Sequence, residues 1–494
     1  MTKPMVTVGK TIEERLALFE TYIQRTKMDK KQYQYDGVRW ILNNELREDP
    51  VCGIRGGIIA DEMGLGKTIM MIGTMLCNFV PKTLVVVPPV LLHQWFIQIY
   101  RTTGHKALIY HGEDKKNITL EVFEKAKIVI CTYAAVTLSK GQIKAKELTD
   151  LHRIAWSRII FDEAHHLRNG GTTRHFGVKL LQTNIRWLVT GTPIQNRKKD
   201  FYNLCNILRL PASFYTDIDQ LKLHARDFIM KRTKQQVGIK IADLFIDKNM
   251  VKWNNVKEKE LSEELHSALK FSMARSKNDS QTILNAFSGF TLPLILRARQ
   301  SCIYPKLMAG QLDKLVEKGM MSDYNEYKEA FNHSSKLDYA IKKILDRKDN
   351  GCGKIIFCHF REEIDEIATR LRNGGMKKVA TLDGRTSNSK RFDVLNDKND
   401  ALILQIQTGC EGLNLQENYS EIYFISPHWN PAVEDQAIAR CHRIGQTRSV
   451  YVERFEMCSF MYEDQEVDSP TVDNYVTSVQ DDKRTVAHKI MNAD

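Results

Sequence analysis

The segment "DEMGLGKTIM", residues 61 to 70, carries the residue types that bind a nucleoside triphosphate. Gly64 and Gly66 leave backbone N–H groups open to phosphate oxygens. Lys67 can neutralise the β- and γ-phosphates, Thr68 offers a hydroxyl to a magnesium ion, and Ile69 follows as the loop opens into a helix. The spacing from Gly64 to Lys67 is shorter than in the full G-x-x-x-x-G-K-[ST] pattern. A plain glycine turn with a surface lysine is the alternative, but it leaves the strand before and the helix after unexplained.

About a hundred residues later stands "RIIFDEAHH", residues 158 to 166. An apolar strand there runs straight into Asp162 and Glu163, which places both carboxylates at the C-terminal edge of a sheet, where ligands bind. Asp162 suits the magnesium ion, and Glu163 suits a base that orients the attacking water. Alone the pair could be a solvated acidic turn. Together with Lys67 it points to ATP hydrolysis, with ATP and Mg2+ as cofactors.

A third segment, "ARCHRIGQTR" at 439 to 448, holds Arg440, His442, Arg443 and Arg448 with no phosphate loop nearby. Attack on the γ-phosphate builds negative charge, and an arginine presented from another element can supply about 10³ to 10⁵ in rate. Arg440 and Arg443 are three apart, so on a helix they share a face, with Gln436 one turn before Arg440. Either the two arginines reach the phosphates across a cleft between lobes, or they form a solvated basic face.

Groups so far apart in the chain need scaffolds. A chain of 494 residues is expected to form two or three domains, and 43% apolar with 27% charged residues fits a folded protein rather than a disordered one. The formal net charge of +12 suits a polyanionic partner. Ten cysteines are scattered singly with no C-x-x-C pair, which argues against a zinc knuckle or disulfide framework and fits a reducing compartment. Neither a secretory signal nor a membrane span is expected.

Apolar strands recur as "GGIIA" (56 to 60), "TLVVVPP" (83 to 89), "KIVICTY" (127 to 133), "RIIFDEAHH" and "RWLVTGTP" (186 to 193). A second series comprises "KIIFCHF" (354 to 360), "KVATLDG" (378 to 384), "ALILQIQTG" (401 to 409), "EIYFISP" (421 to 427) and "VYVERFEM" (450 to 457). Continuous apolar strands alternating with helical patterns predict α/β architecture, with parallel sheets covered on both faces. The expected layout is a helical lead at 1–30, a first lobe at 31–234 and a helical insertion and connection at 235–333. A second lobe follows at 334–460, and a polar tail or brace at 461–494 is expected along the surface.

The ordered set of motifs resembles the SNF2 family of DNA-dependent ATPases, within helicase superfamily two. It runs from "YQYDGVRWIL" (33 to 42) through "DEMGLGKT", "VVVPPVLLHQW" (85 to 95), "ICTY" (130 to 133), "DEAHHLRN" (162 to 169) and "TGTPIQN" (190 to 196). It continues with "KRTK" (231 to 234), "ARQSCIYP" (298 to 305), "SSKL" (334 to 337), "GLNL" (412 to 415) and "SPHWNPAVEDQAIARCHRIGQ" (426 to 446). The resemblance covers roughly residues 30 to 460. It implies two recA-like lobes that move along duplex DNA without separating strands, a compact architecture also found in motors of large DNA viruses, and partners such as nucleosomes or histones. Gln34 would read the adenine ring, and Asp61 and Glu62 would shape the nucleotide loop. Thr190, Gly191 and Thr192 would couple hydrolysis to DNA. Gln436, Arg440 and Arg443 would close on the phosphates, and Trp429 and Asn430 would brace the second lobe. The chain departs from the family at Cys410, at His428 and at His166 with Arg168.

For the duplex itself, basic groups, hydroxyls and backbone N–H groups hold phosphates without reading sequence. The candidates are His93, Thr132, Arg197, Lys231, Arg232, Arg385 and Trp429, with Lys82, Lys234, Arg361 and Lys390 beside them. A nuclear location, or a virus factory or virion, would follow, with accessory subunits supplying any targeting. A strand-separating DNA or RNA helicase is the rival function, and a catalytically silent DNA-gripping scaffold is the other.

Overall fold

The computed structural model describes residues 11–267, 269, 291–319, 323–409, 413–461 and 469–491. Cys410 and parts of the expected helical insertion and of the tail lie outside them. The chain divides into two compact units, one ending at Lys240 and joined by residues from Thr485 on, the other running from Ile241 to Arg484.

The first unit holds seven parallel strands: β1 (Arg55–Ile59), β2 (Thr83–Val87), β3 (Leu108–Tyr110), β4 (Ile128–Thr132), β5 (Ala155–Asp162), β6 (Gln182–Val189) and β7 (Ile229–Met230). Their order across the sheet is β3-β4-β2-β5-β6-β1-β7. In β2 every residue is buried, and neighbours face opposite ways. Leu84 and Val86 enter one apolar cluster, and Val85 and Val87 enter another. A strand so placed has no polar face to show, which is why it reads as an unbroken apolar run.

Four helices carry or support the phosphate loop: α1 (Ile12–Arg25), α2 (Gln32–Leu46), α3 (Lys67–Cys77) and α4 (Leu92–Thr103). Thr11 and Glu14 form a capping box that starts α1. Its Leu16, Phe19 and Ile23 are buried in the same cluster as α2 and α3, so the segment expected as a lead is part of the first core.

The second unit repeats the plan with six parallel strands: β8 (Leu244–Val251), β9 (Gly353–Cys358), β10 (Val379–Leu382), β11 (Ala401–Gln405), β12 (Tyr419–Phe424) and β13 (Val450–Met457). Their order is β10-β11-β9-β12-β13-β8. Ile356 and Cys358 face one cluster while Ile355 and Phe357 face the other.

Two features differ from expectation. The stretch from 235 to 333 is not purely helical, because β8 pairs with β13 from Leu244↔Val450 to Val251↔Met457. As an edge strand β8 is largely exposed, and "LFIDKNMV" therefore lacks the apolar run that marked the central strands. The tail forms a helix, Val472–Met491, in which Val472, Tyr475, Val476 and Gln480 are buried. Asp473 on that helix pairs with Lys336 at 2.5 Å, with neither side chain more than 1% exposed. Among the described residues no helix is long and apolar enough to cross a membrane.

Candidate nucleotide site

β1 delivers the chain to the loop, and α3 leaves it with Gly66 as N-cap. Gly64 and Gly66 have φ of 91° and 80°, a left-handed backbone open to glycine at little cost. A Cβ on Gly66 would lie 2.5 Å from Gln34 Nε2. The Gln34 side chain, 6% exposed, thus lies directly over the loop, with Nε2 3.4 Å from the Leu65 carbonyl oxygen. Gln34 comes from the first turn of α2. The segment expected to sense adenine and the glycine loop are therefore in contact.

Lys67 Nζ donates to the Asp61 carbonyl at 2.8 Å, with the Glu62 carbonyl at 3.4 Å. A Cβ on Gly191 would lie 3.2 Å from the same nitrogen, which brings the "TGTP" segment beside the loop. Thr68 and Ile69 follow Lys67 in the first turn of α3, where the unpaired backbone N–H groups and helix dipole favour an anion.

Asp162 ends β5 and Glu163 follows it at φ 50°, ψ 48°. Trp95 Nε1 of α4 donates to Asp162 Oδ2 at 2.7 Å, the Glu163 N–H donates to Oδ1 at 3.0 Å, and the Tyr133 hydroxyl donates to the Asp162 carbonyl at 2.7 Å. Burial, then the Glu163 charge, pushes the Asp162 carboxyl up to about 7, while Lys67 pulls the other way. Two crowded acids, one buried, are suited to a divalent cation whose charge would offset their repulsion. The residues thus fit a magnesium ion, with Asp162 and the Thr68 hydroxyl as its protein ligands. His165 Nδ1 lies 3.3 Å from Glu163 Oε2 and 3.4 Å from Thr190 Oγ1, joining the acidic segment to "TGTP". Trp95 and His165 stand in motifs legible in the sequence, yet only the fold shows that they hold the acids.

Several residues expected on DNA are placed otherwise. Arg232 is a correction. Its Nε and Nη2 meet Asp61 at 3.1 and 2.5 Å, and Nη1 donates to the Tyr33 carbonyl at 2.6 Å. Lys234 likewise pairs with Glu62 at 3.1 Å. Asp61 is wholly buried, and an unpaired buried carboxylate is costly, so it takes the guanidinium. The "KRTK" segment clamps the nucleotide loop and Tyr33. Thr132 is also corrected: it is 1% exposed at the end of β4 and does not reach the surface. Arg385 is held by Asp365 and Asp383. Trp429 is half-buried, edge-on to Tyr475, with its carbonyl bonded to Lys483. His93 and Lys231 are exposed, and so is Arg197 at the N-cap of the helix Lys198–Ile207.

In the second unit Gln436 is buried in the helix Pro431–Ile438. That helix stops before Arg440, so Arg440 and Arg443 do not share a helical face as the spacing suggested. Successive turns carry them instead, with Arg440 N bonded to the Ala437 carbonyl and Gln446 N to the Arg443 carbonyl. The helix gives way because Cys441 must be buried and His442 must reach the Ala242 carbonyl at 2.8 Å. The two guanidinium groups remain neighbours. Burial and then the Arg440 charge lower the Arg443 pKa, and Arg443 donates to Asn414 Oδ1.

The SNF2-related domain matches residues 33–345, and the helicase conserved C-terminal domain matches 335–445. The probable global transactivator of Orgyia pseudotsugata multicapsid polyhedrosis virus is 27% identical over 486 residues, which span 93% of this chain and 91% of that one. The ISWI chromatin-remodeling complex ATPase ISW2 of Saccharomyces cerevisiae is 27% identical over 86% of this chain, but the match spans only 38% of the yeast protein. The Sulfolobus solfataricus SWI2/SNF2 ATPase core in complex with dsDNA is similar over 88% of this chain and 89% of its own, at 23% identity and a TM-score of 0.39. The first of these domains covers well over half of the residues: the chain belongs to the SNF2-related family and is a DNA-dependent ATPase.

Proposed function

We propose that this chain couples ATP hydrolysis to translocation along duplex DNA, and that it displaces nucleosomes or other DNA-bound proteins without separating strands. The observation that carries the proposal is the convergence, around one loop, of Gln34, Lys67, the Asp162–Glu163 pair and Gly191 from segments spread over 157 residues of sequence. Lys67 and the N–H groups at the start of α3 hold the phosphates, and Gln34 contacts the adenine. Asp162 and Thr68 would hold a magnesium ion, which would neutralise charge on the β- and γ-phosphates. Glu163 orients the attacking water and receives its proton, while His165 keeps the base in place beside Thr190. Arg440 and Arg443 supply the positive charge that the γ-phosphate requires as it departs, and Gln436 supports them.

For the duplex, His93, Arg197 and Lys231 in the first unit and Arg385 and Trp429 in the second are the remaining candidates. A location with chromatin or viral DNA follows from such a substrate.

The test compares ATPase rates without nucleic acid, with single strands, with duplex and with nucleosomes at fixed salt, alongside a strand-release assay on a tailed duplex. Duplex stimulation without strand release is expected. Robust release would assign a strand-separating helicase instead. A nucleosome rate above the duplex rate would identify chromatin as the substrate, and a plateau at the duplex rate would indicate a general protein-stripping motor.

A further inference from the structure

We propose that Glu45 is a positioning residue for the nucleotide site, acting through the elements that build it. This rests on the reading of Gln34 as the adenine-contacting residue.

Glu45 lies at the C-terminal end of α2 and is 3% exposed. Its carboxylate accepts four hydrogen bonds. Oε1 takes Arg158 Nε at 2.7 Å and Trp187 Nε1 at 2.9 Å. Oε2 takes the Arg158 Nη2 and, at 2.8 Å, Asn78 Nδ2. Arg158 Nη2 also donates to the Asn78 carbonyl at 2.8 Å, and Arg15 of α1 donates to Asn78 Oδ1 at 3.2 Å. Arg158 and Trp187 are wholly buried, and Asn78 is 7% exposed.

The membership of this network is selective. Glu45 shares α2 with Gln34, and Asn78 caps α3, whose first residue is Lys67. Arg158 shares β5 with Asp162, and Trp187 lies on β6, which leads into Thr190. Each partner therefore sits on an element that also carries, or leads into, a nucleotide-site residue: at the opposite end of α2 and α3, and four and three residues further along β5 and β6. The separation is about 16 Å along each helix and about 10 to 13 Å along each strand. Helices and strands transmit axial shifts with little damping, so one carboxylate sets the register of α2, α3, β5 and β6 together. Gly37 of α2 reinforces the point: a Cβ there would lie 2.4 Å from Met70 Sδ of α3. Two helices packed that closely admit little independent adjustment, so a slip at Glu45 is passed to Gln34 above the loop.

The mechanism of the hub is geometric, and its signature is substrate selection rather than folding alone. Glu45→Gln keeps the shape but turns one acceptor into a donor facing Arg158 or Asn78. Trp187→Phe is milder and removes a single bond. The double change Glu45→Met with Arg158→Met replaces the buried ion pair by apolar groups and guards against simple misfolding, since such replacements are often neutral for stability.

The experiment measures KM and kcat for ATP and for GTP with duplex DNA, together with Tm, in these three variants and in Gln34→Ala. A Val178→Ala variant, buried in the first unit outside the network, serves as a control for lost stability. The expected result is an ATP KM raised about five- to tenfold in Glu45→Gln and in the folded double variant, the worth of one misplaced hydrogen bond. The ATP-over-GTP preference should fall toward that of Gln34→Ala, and Val178→Ala should keep it. Glu45→Gln should add nothing further in a Gln34→Ala background. If Gln34→Ala loses the preference while all Glu45 and Trp187 variants retain it, the positioning role is overturned and the adenine reading stands. If Gln34→Ala itself retains the preference, the adenine reading fails and takes the proposal with it.

Discussion

The two units share a parallel-sheet plan yet spend their buried charge differently. In the first, buried acids and the donors that hold them serve one loop or its supports: Asp61 with the Arg232 guanidinium, Asp162 with the Trp95 indole N–H, and Glu45 with the Arg158 guanidinium. In the second, buried charge ties secondary elements to one another. Lys336 holds Asp473 of the C-terminal helix, Lys354 lies 3.4 Å from Glu421, and Arg299 reaches His359 at 2.6 Å and the Pro427 carbonyl. Its two candidate catalytic arginines sit on turns, where Arg443 donates to Asn414 Oδ1. The lesson is a division of labour. The first unit gathers its buried charge around the candidate phosphate loop and its supports, and the second uses buried pairs to join its own elements.

That contrast can be broken most sharply at the chemistry. Glu163→Gln and Arg443→Ala should each lower DNA-stimulated turnover by about 10³-fold or more while ATP binding survives, as read by single-turnover hydrolysis and nucleotide titration. Turnover within a few-fold of the parent for Arg443→Ala would remove the second unit from the active site. Asp473→Ala leaves Lys336 buried and unpaired, and should cost about 3 to 5 kcal/mol in denaturant unfolding, the usual consequence of breaking a buried pair. ATP affinity should hardly change; a parallel loss of nucleotide binding would contradict the division.

Arg232 sharpens the first half of the comparison. As a clamp on Asp61 and Tyr33, Arg232→Ala should weaken ATP binding about tenfold, as for a charge-assisted hydrogen bond. The salt slope of DNA affinity should stay unchanged. A slope reduced by about one would return the residue to the duplex.

Acid offers a subtler test. Burial lowers His266 and His428 to about 4, and burial with the Arg299 and His428 charges holds His359 well below its ordinary value. The first unit shows the same shift at His152. An unfolded histidine takes up its proton near pH 6.5, whereas these folded ones resist, so their stabilising contribution is full above about 6.5 and is lost as pH falls toward 4. Hydrogen exchange between pH 7 and 5 should show the second unit losing protection before the first. The smallest effect is expected at exposed His93: His93→Ala should change duplex affinity less than twofold at physiological salt, since it removes at most one solvent-exposed phosphate contact.

How much was legible in the chain depended on where each residue lies. Central strands such as β2 and β11 stood out because burial on both faces demands an unbroken apolar run. Edge strand β8 did not, because exposure relaxed that demand. The helix Val472–Met491 was hidden by a polar average, with Val472, Tyr475 and Val476 its buried apolar residues among those described. Lys67, Asp162 and Glu163 were readable because phosphate and metal chemistry accept few substitutes. Arg232 was expected on DNA, and its pairing with Asp61 was not legible, because a guanidinium has the same appearance in a sequence whether it meets a phosphate or a buried aspartate.

Residue type and spacing were by themselves enough to predict two parallel α/β lobes, a candidate phosphate loop and an acidic strand tip, and the ordered motifs carried the resemblance to the SNF2 family. Only the tertiary structure decided which charges face one another. It set Gln34 over Gly66, gave Asp61 to Arg232, turned Arg440 and Arg443 out of their helix and gathered four elements onto Glu45. The physical reason is that periodicity and motif chemistry act over a few residues, whereas pairing a buried charge depends on whichever distant segment packing brings within hydrogen-bond reach.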